Sequence, residues 1–277
     1  MTRRNRQRRP SQILLPVFLL LMLTFCATSL FAAEPFQRVP ILCYHRFGPT
    51  AADMTVTTPV LIQQLDFLRD HGYTVVPLQA VVDYQLGKGA PPPPKSVVIT
   101  VDDGHRSVYD VLYPLVKQYH IPVTLFIYPS AISNASYAMA WDQLRELRDT
   151  GLFNIQSHTY WHPNFKQERK RLTPAAYQKF VATQLQRSKA VLEKRLGGNI
   201  DLLAWPFGIY DDTLMEQAAQ AGYVAAFSID GRQTDSGDKP LSLPRFLMTN
   251  GHQGRLFENL VAPAPAHGAA THTTAAK

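Results

Sequence analysis

The sequence predicts an α/β fold built from parallel strand–helix units, and three observations predict it. From Val39 onward, short apolar runs alternate with amphipathic helical stretches, the order that lays strands side by side in parallel. Gly72, Gly151 and Gly222 each directly follow a helical stretch, where a left-handed cap is commonly needed. The 277 residues are 45% apolar and 18% charged, enough for one sizeable core without disulfides or a structural metal. A barrel and a doubly wound sheet both satisfy this pattern.

The elements follow in order. Strands are expected at residues 41–44, 73–76, 96–101, 124–128, 153–156, 202–205 and 224–228. Helices are expected at 59–71, 78–86, 107–119, 141–150, 174–196 and 211–221. The helices ending at 71, 150 and 221 are the ones closed by those glycines. The proline run 91–94 is a stiff lead into the strand at 96,. No internal repeat is present.

The termini read differently from the middle. Five arginines (Arg3, Arg4, Arg6, Arg8 and Arg9) precede an apolar run from Ile13 to Phe25, and the small residues Ala27, Ala32 and Ala33 follow. This is the order of a secretory signal, so 1–33 is assigned as a signal peptide or an N-terminal membrane anchor. Either reading exports the next domain to the periplasm, the cell surface or the medium, with membrane contact only through this segment. The formal charge is +7, and those arginines supply five of it, leaving +2. A nucleic-acid-binding surface is therefore not expected. Residues 34–255 are assigned to one catalytic domain and 256–277 to a disordered Ala/Pro/Thr-rich tail. Cys43 is the only cysteine after the leader, which excludes an internal disulfide there. Nothing in the sequence reports the oligomeric state.

Four strand ends carry chemistry. The strand at 96–101 runs into Asp102-Asp103-Gly104. Adjacent carboxylates at a buried strand tip are costly unless something compensates them, and strand tips are where α/β folds place their sites. A metal held by one carboxylate would free the other as a general base. Taken alone, the same residues read as a turn with a capping role. After the strand at 153–156 come His158 and His162, an i, i+4 pair that lies on one face of a helical turn and suits a divalent metal,. Trp205-Pro206-Phe207-Gly208 and Tyr44-His45 end two further strands on the same rim.

In this order the pieces resemble the polysaccharide deacetylases of the NodB homology group, carbohydrate esterase family 4. Thr100-Val101-Asp102-Asp103-Gly104 is similar to that family's Thr-Phe-Asp-Asp-Gly, and His158…His162 to its metal motif. The resemblance implies a distorted (β/α)7 barrel, with Asp102 as general base. It also implies that Asp103, His158 and His162 bind a divalent metal: zinc first, with nickel, cobalt or iron(II) as alternatives. The family's third motif carries an Arg before its Pro-Tyr/Phe pair, and here Ala204 and Trp205 stand there. A C-terminal Leu-x-His is also missing, and Leu243-Pro244-Arg245 occupies its region. Those departures, with Tyr44-His45 and Trp205-Pro206-Phe207-Gly208, resemble the exported biofilm poly-β-1,6-N-acetylglucosamine N-deacetylase branch.

The branch resemblance implies N-acetyl hydrolysis on an acetylated amino-sugar polysaccharide. By it, His45 is the general acid and the Phe207 backbone N–H stabilises the oxyanion. Arg245 is a candidate to orient Asp102 through a charge-assisted bond. Trp161, Trp205 and Phe207 are candidates to receive sugar rings. The rival expectations are a deacetylase of peptidoglycan or another acylated glycan, and a relative that binds glycan without cleaving it. Retention of both aspartates and both histidines argues against the last.

Overall fold

The computed structural model describes residues 36–263 and, apart from these, only Thr2. The leader predicted at 1–33 thus lies outside the described residues except at Thr2. Among the described residues no helix is long and apolar enough to cross a membrane.

The strands are β1 (Ile41–Tyr44), β2 (Arg46–Gly48), β3 (Thr55–Thr57), β4 (Thr74–Val75), β5 (Ser96–Asp102), β6 (Val123–Ile127), β7 (Phe153–Ser157), β8 (Leu202–Ala204), β9 (Ala225–Phe227) and β10 (Phe246–Leu247). The helices are α1 (Thr58–Asp70), α2 (Leu78–Gln85), α3 (Tyr113–Tyr119), α4 (Trp141–Asp149), α5 (Phe165–Arg171), α6 (Pro174–Leu196), α7 (Asp212–Gln220) and α8 (Arg255–Val261). The main sheet runs β10-β1-β5-β6-β7-β8-β9, with β4 paired to the start of β5. Every ladder in it is parallel.

Seven strands on one path, separated by helices, give the expected distorted barrel. Leu243 pairs with Phe227 and Phe246 with Leu42, so segment 243–247 joins the β9 edge to the β1 edge and curls the sheet round. The β7–β8 ladder holds a single pair, Ser157 with Leu203.

Strand periodicity sorts the side chains. Ile41, Val98, Phe126, Leu202, Phe227 and Leu243 form an inner cluster, while Leu42, Ile99, Val101, Leu125 and Ile127 belong to the cluster under the helices. Successive strand residues point to opposite faces, so Thr100 and Asp102 share the inner face with Val98. Cys43 likewise shares it with Ile41. Both faces are covered, which is why the strands read as continuous apolar runs.

Several expectations change. The strand expected at 73–76 is two residues long, and the helix expected at 107–119 opens with a π-helical turn, Val108–Leu112. Helix α5 was not anticipated, because Phe-Lys-Gln-Glu-Arg-Lys-Arg has one apolar residue and no periodicity. It is started by Asn164, whose side chain accepts from the Gln167 N–H,. The tail assigned to 256–277 is corrected at its start. Residues 256–261 lie in α8, which buries Phe257 and Val261 four residues apart, each contributing about 1.5–3 kcal/mol. Residues 264–277 lie outside the described residues.

Candidate active site

The C-terminal ends of β1, β5, β7 and β8 bring His45, Asp102, Asp103, His158, His162 and Phe207 around one cavity of about 260 Å3. Asp102 closes β5 with its side chain turned inward and only 2% exposed. Arg245, 0% exposed, reaches it from segment 243–247. Its Nη1 donates to Asp102 Oδ1 at 2.8 Å and its Nη2 to Oδ2 at 2.7 Å. Nη1 also donates to Thr100 Oγ1 at 3.0 Å and Nε to the Ser228 carbonyl at 3.1 Å. The guanidinium rests over the Phe126 and Phe227 rings, 5.2 and 6.0 Å from their centroids. Burial alone would raise the Asp102 pKa, but Arg245, helped by His158, holds the carboxyl well below the usual carboxylate range,. The fork-to-fork contact fixes the carboxylate's rotation as well as its charge.

Cys43, an inner-face residue of β1, sits beside this pair. Its Sγ donates to Asp102 Oδ2 at 3.4 Å, and burial pushes its pKa well up, so it is a thiol donor. Cys43, His45 and Asp102 come close enough to hold a metal. A protonated thiol and a carboxylate already occupied by Arg245 make a poor ligand set.

Asp103 is set differently from its neighbour. Its φ is +75°, and Gly104 follows at +75°. A Cβ on Gly104 would stand 2.9 Å from Ile127 Cδ1, so that position requires glycine. This turn lets two consecutive aspartates serve two surroundings. Asp103 Oδ1 is buried without a hydrogen-bond partner, and burial raises the group's pKa.

His158 N–H extends the β6–β7 ladder by donating to the Ile127 carbonyl at 2.8 Å. Its Nδ1 lies 2.8 Å from the Ala204 carbonyl. A carbonyl only accepts, so Nδ1 carries the proton and Nε2 presents its lone pair to the cavity. That Nε2 is 3.7 Å from Asp103 Oδ1, and His162 Nε2 is also 3.7 Å from it. Burial lowers the pKa of both rings, His158 to about 3.

The two histidines do not lie on a helical turn as the spacing suggested. They sit on an irregular loop in which Thr159 and His162 take φ of +64° and +62°. These left-handed residues fold the loop so that the imidazole centroids come within 4.6 Å.

The donor set fits a divalent cation. Asp103, His158 and His162 offer ligand atoms within 4.8 Å of one another. Two such atoms at about 2.1 Å from a shared cation stand about 3.4 Å apart in tetrahedral geometry. The partnerless Oδ1 of Asp103 would be satisfied by such an ion, and two neutral imidazoles with one carboxylate leave positions open.

His45 lines the same cavity, with a buried Nδ1 that has no hydrogen-bond partner. Phe207 sits in a 3-10 turn at φ +57°, 56% exposed, with its ring 4.6 Å from His162. Trp161 is exposed and packs edge-on against Phe180. It borders a neighbouring hollow together with His162. Trp205 corrects an expectation. It is 1% exposed, donates Nε1–H to the Leu241 carbonyl at 2.9 Å and packs on Phe165. It supports the cavity wall from the core and has no free face for a sugar ring.

Two residues were missed in the sequence, and the contact of a third, Cys43, with the candidate base was not foreseen. Tyr128 and Tyr137 border the neighbouring hollow. Tyr128 immediately follows β6, so the strand-end rule that found the histidines would have found it. Tyr137 lies on a loop and carries no such mark.

A family model described as polysaccharide deacetylase matches residues 89–226, a span that holds Asp102, Asp103, His158, His162 and Phe207 but neither His45 nor Arg245. The poly-β-1,6-N-acetyl-D-glucosamine N-deacetylase of Staphylococcus epidermidis is 26% identical over 212 residues, covering 75% of this chain and 71% of the relative. The structure of IcaB from Ammonifex degensii superposes with a TM-score of 0.71 at 27% identity, over 82% of this chain and 98% of that one. The deacetylase PplD of Streptococcus pyogenes, in complex with acetate, shares the fold with a TM-score of 0.73 at 24% identity, over 83% and 100% of the two chains.

Proposed function

Because the chain carries a domain of the polysaccharide deacetylase family, hydrolases of amide C–N bonds, we propose that it is an exported, metal-dependent N-deacetylase of an N-acetylglucosamine-containing polymer. Poly-β-1,6-N-acetylglucosamine is the first substrate to try, because relatives at about a quarter identity carry that activity in their names. One observation carries the reading: an aspartate locked ionised by a buried arginine beside a second, partnerless aspartate that faces two imidazole nitrogens.

Asp103, His158 and His162 are assigned to hold a divalent cation, zinc in the first instance. That cation would supply Lewis acidity, polarising the acetamide carbonyl and acidifying a water, which offsets the weak basicity of an arginine-paired aspartate. Asp102, kept ionised and oriented by Arg245, accepts the proton of the attacking water. His45, on the same cavity wall, gives a proton to the departing amine nitrogen. The backbone N–H of Phe207 faces the carbonyl oxygen as charge develops there. Export rests on the basic, apolar and small-residue order of 1–33,.

The test is acetate release from poly-β-1,6-N-acetylglucosamine, chitin oligomers and peptidoglycan fragments, after chelation and again after zinc is restored. Release from the β-1,6 polymer that is lost on chelation and regained with zinc is expected. Release from only another glycan would move the substrate. No release from any of them at one equivalent of bound metal would overturn the enzyme.

A further inference from the structure

We infer that a second sugar-binding subsite lies beside the acetamide-binding cavity, on the platform of Tyr128, Tyr137 and Trp161, and holds the neighbouring residue of the glycan chain. The inference rests on the deacetylase reading above. Among the described residues the exposed large aromatics are Tyr137, Trp161 and Phe207, at 42%, 43% and 56% exposure. Single exposed aromatics are ordinary, but these three gather round one histidine. Phe207 packs edge-on against His162, and Trp161 directly precedes that histidine in the chain. Tyr128 also stands 5.4 Å from the His162 ring and meets Tyr137 hydroxyl to hydroxyl.

Beside His162 is a shallow, open hollow of about 410 Å3 bordered by Tyr128, Ser130, Asn134, Tyr137, Trp161 and His162. It shares His162 with the candidate active site, so the two hollows adjoin at that ring. A pyranose ring presents C–H bonds on its faces and hydroxyls round its edge. Aromatic faces with phenolic tips, beside the Asn134 amide, match both kinds of surface.

The platform is also rigid. The Arg106 N–H donates to the Tyr137 carbonyl at 2.7 Å and the Met139 N–H to the Gly104 carbonyl at 3.0 Å, tying the loop to the Asp-Asp-Gly turn. The Ser130 N–H donates to the Tyr160 carbonyl at 3.1 Å, tying it to the histidine loop. The Tyr137 ring is backed by His105, with centroids 6.1 Å apart and planes 11° from parallel. A sugar residue therefore meets a surface already ordered relative to the catalytic groups, with little loop entropy to lose. The enzyme thus prefers an oligomer to a monosaccharide, with the chain crossing from Phe207 over His162 to Tyr137.

The experiment compares acetate release from β-1,6-linked N-acetylglucosamine monomer, dimer and trimer by the wild type, Tyr137→Ala, Tyr137→Phe and Trp161→Ala. Wild-type kcat/KM is expected to rise with length, and Tyr137→Ala to raise KM for the trimer about tenfold, chiefly without loss of kcat. Tyr137→Phe, which keeps the ring, recovers most of that loss. A trimer KM unchanged in both alanine variants, with folds confirmed by circular dichroism, overturns the subsite. In parallel, trimer binding is followed by chemical-shift titration of Asp102→Asn with and without Tyr137→Ala. Weakening of about tenfold supports the subsite, and equal affinity overturns it. If the wild type releases no acetate, the deacetylase reading fails while this titration still decides the subsite.

Discussion

Replacing Arg245 by methionine tests how the candidate base is held. The guanidinium is wholly buried and makes four hydrogen bonds, two to Asp102 and one each to Thr100 and Ser228. Methionine keeps much of the apolar stem but removes the guanidinium that rests over Phe126 and Phe227 and leaves Asp102 as a buried charge without its partner. Breaking a buried pair in this way costs about 3–5 kcal/mol, and the lost neutral contacts add about 1 kcal/mol each. Against a total stability of about 5–15 kcal/mol, the variant should fold with a much earlier urea midpoint. Asp102→Asn strands the arginine instead and is costly for the mirror-image reason. The double variant strands neither charge, so its loss should fall short of the sum of the single losses by about 2 kcal/mol or more. Urea unfolding of all four proteins at pH 7, followed by far-ultraviolet circular dichroism, gives the cycle. A coupling below about 0.5 kcal/mol, or an Arg245→Met loss below about 1 kcal/mol, would refute the pairing as the device that holds Asp102.

Two further predictions concern acid stability and the tryptophans. Burial lowers His158 to about 3 in the folded protein, against about 6.5 unfolded. Between those values the unfolded chain binds the proton and the native one does not, so metal-free protein loses stability as pH falls through that window. The contribution is about 1.4 kcal/mol per pH unit. His162, also lowered, acts in the same direction, Asp103, raised, opposes it, and Asp102 adds its own loss once the pH drops below the unfolded carboxylate range. Urea unfolding of metal-free His158→Asn between pH 6.5 and 4 should show a shallower pH slope than the wild type, and an equal slope would contradict the buried neutral ring. Trp205→Ala should cost about 3–5 kcal/mol by thermal or urea unfolding, whereas Trp161→Ala should change stability by about 0.5 kcal/mol or less. The reverse ranking would return Trp205 to the surface.

Most of the chemistry-bearing residues were legible because Asp102 ends a strand, His45, Asp103 and His158 directly follow one, and His162 lies on the loop just beyond, and a parallel sheet brings strand ends to one rim. Asp102 with Asp103 and His158 with His162 therefore point to one place from the sequence alone. The local shape of the histidine loop was not legible. A spacing of four matches a helical turn, whereas the loop takes positive φ at Thr159 and His162 and is held by the Trp161 N–H donating to Gln184 Oε1 and the His162 N–H donating to Thr159 Oγ1, contacts that the spacing does not announce. Arg245 was readable only as a candidate, since its partner lies 143 positions away. The contact exists because segment 243–247 bridges β9 and β1. Trp205 misled because a motif aromatic at a strand end looks equally suited to a sugar or to the core, and only the Leu241 carbonyl decides. Helix α8 was hidden by the Ala, Pro and Thr of the following residues, although Phe257 and Val261 at i, i+4 already marked one apolar face.

Metal content and acetate release measured on the same preparations of Asp102→Asn and Asp103→Asn test the division of labour between the adjacent aspartates most directly. The predicted result is that Asp102→Asn keeps one equivalent of divalent metal while acetate release falls about 10²–10⁴-fold, and that Asp103→Asn loses the metal and the activity together. Asp102→Asn releasing acetate within tenfold of the wild type, or Asp103→Asn keeping its full equivalent of metal, would contradict it.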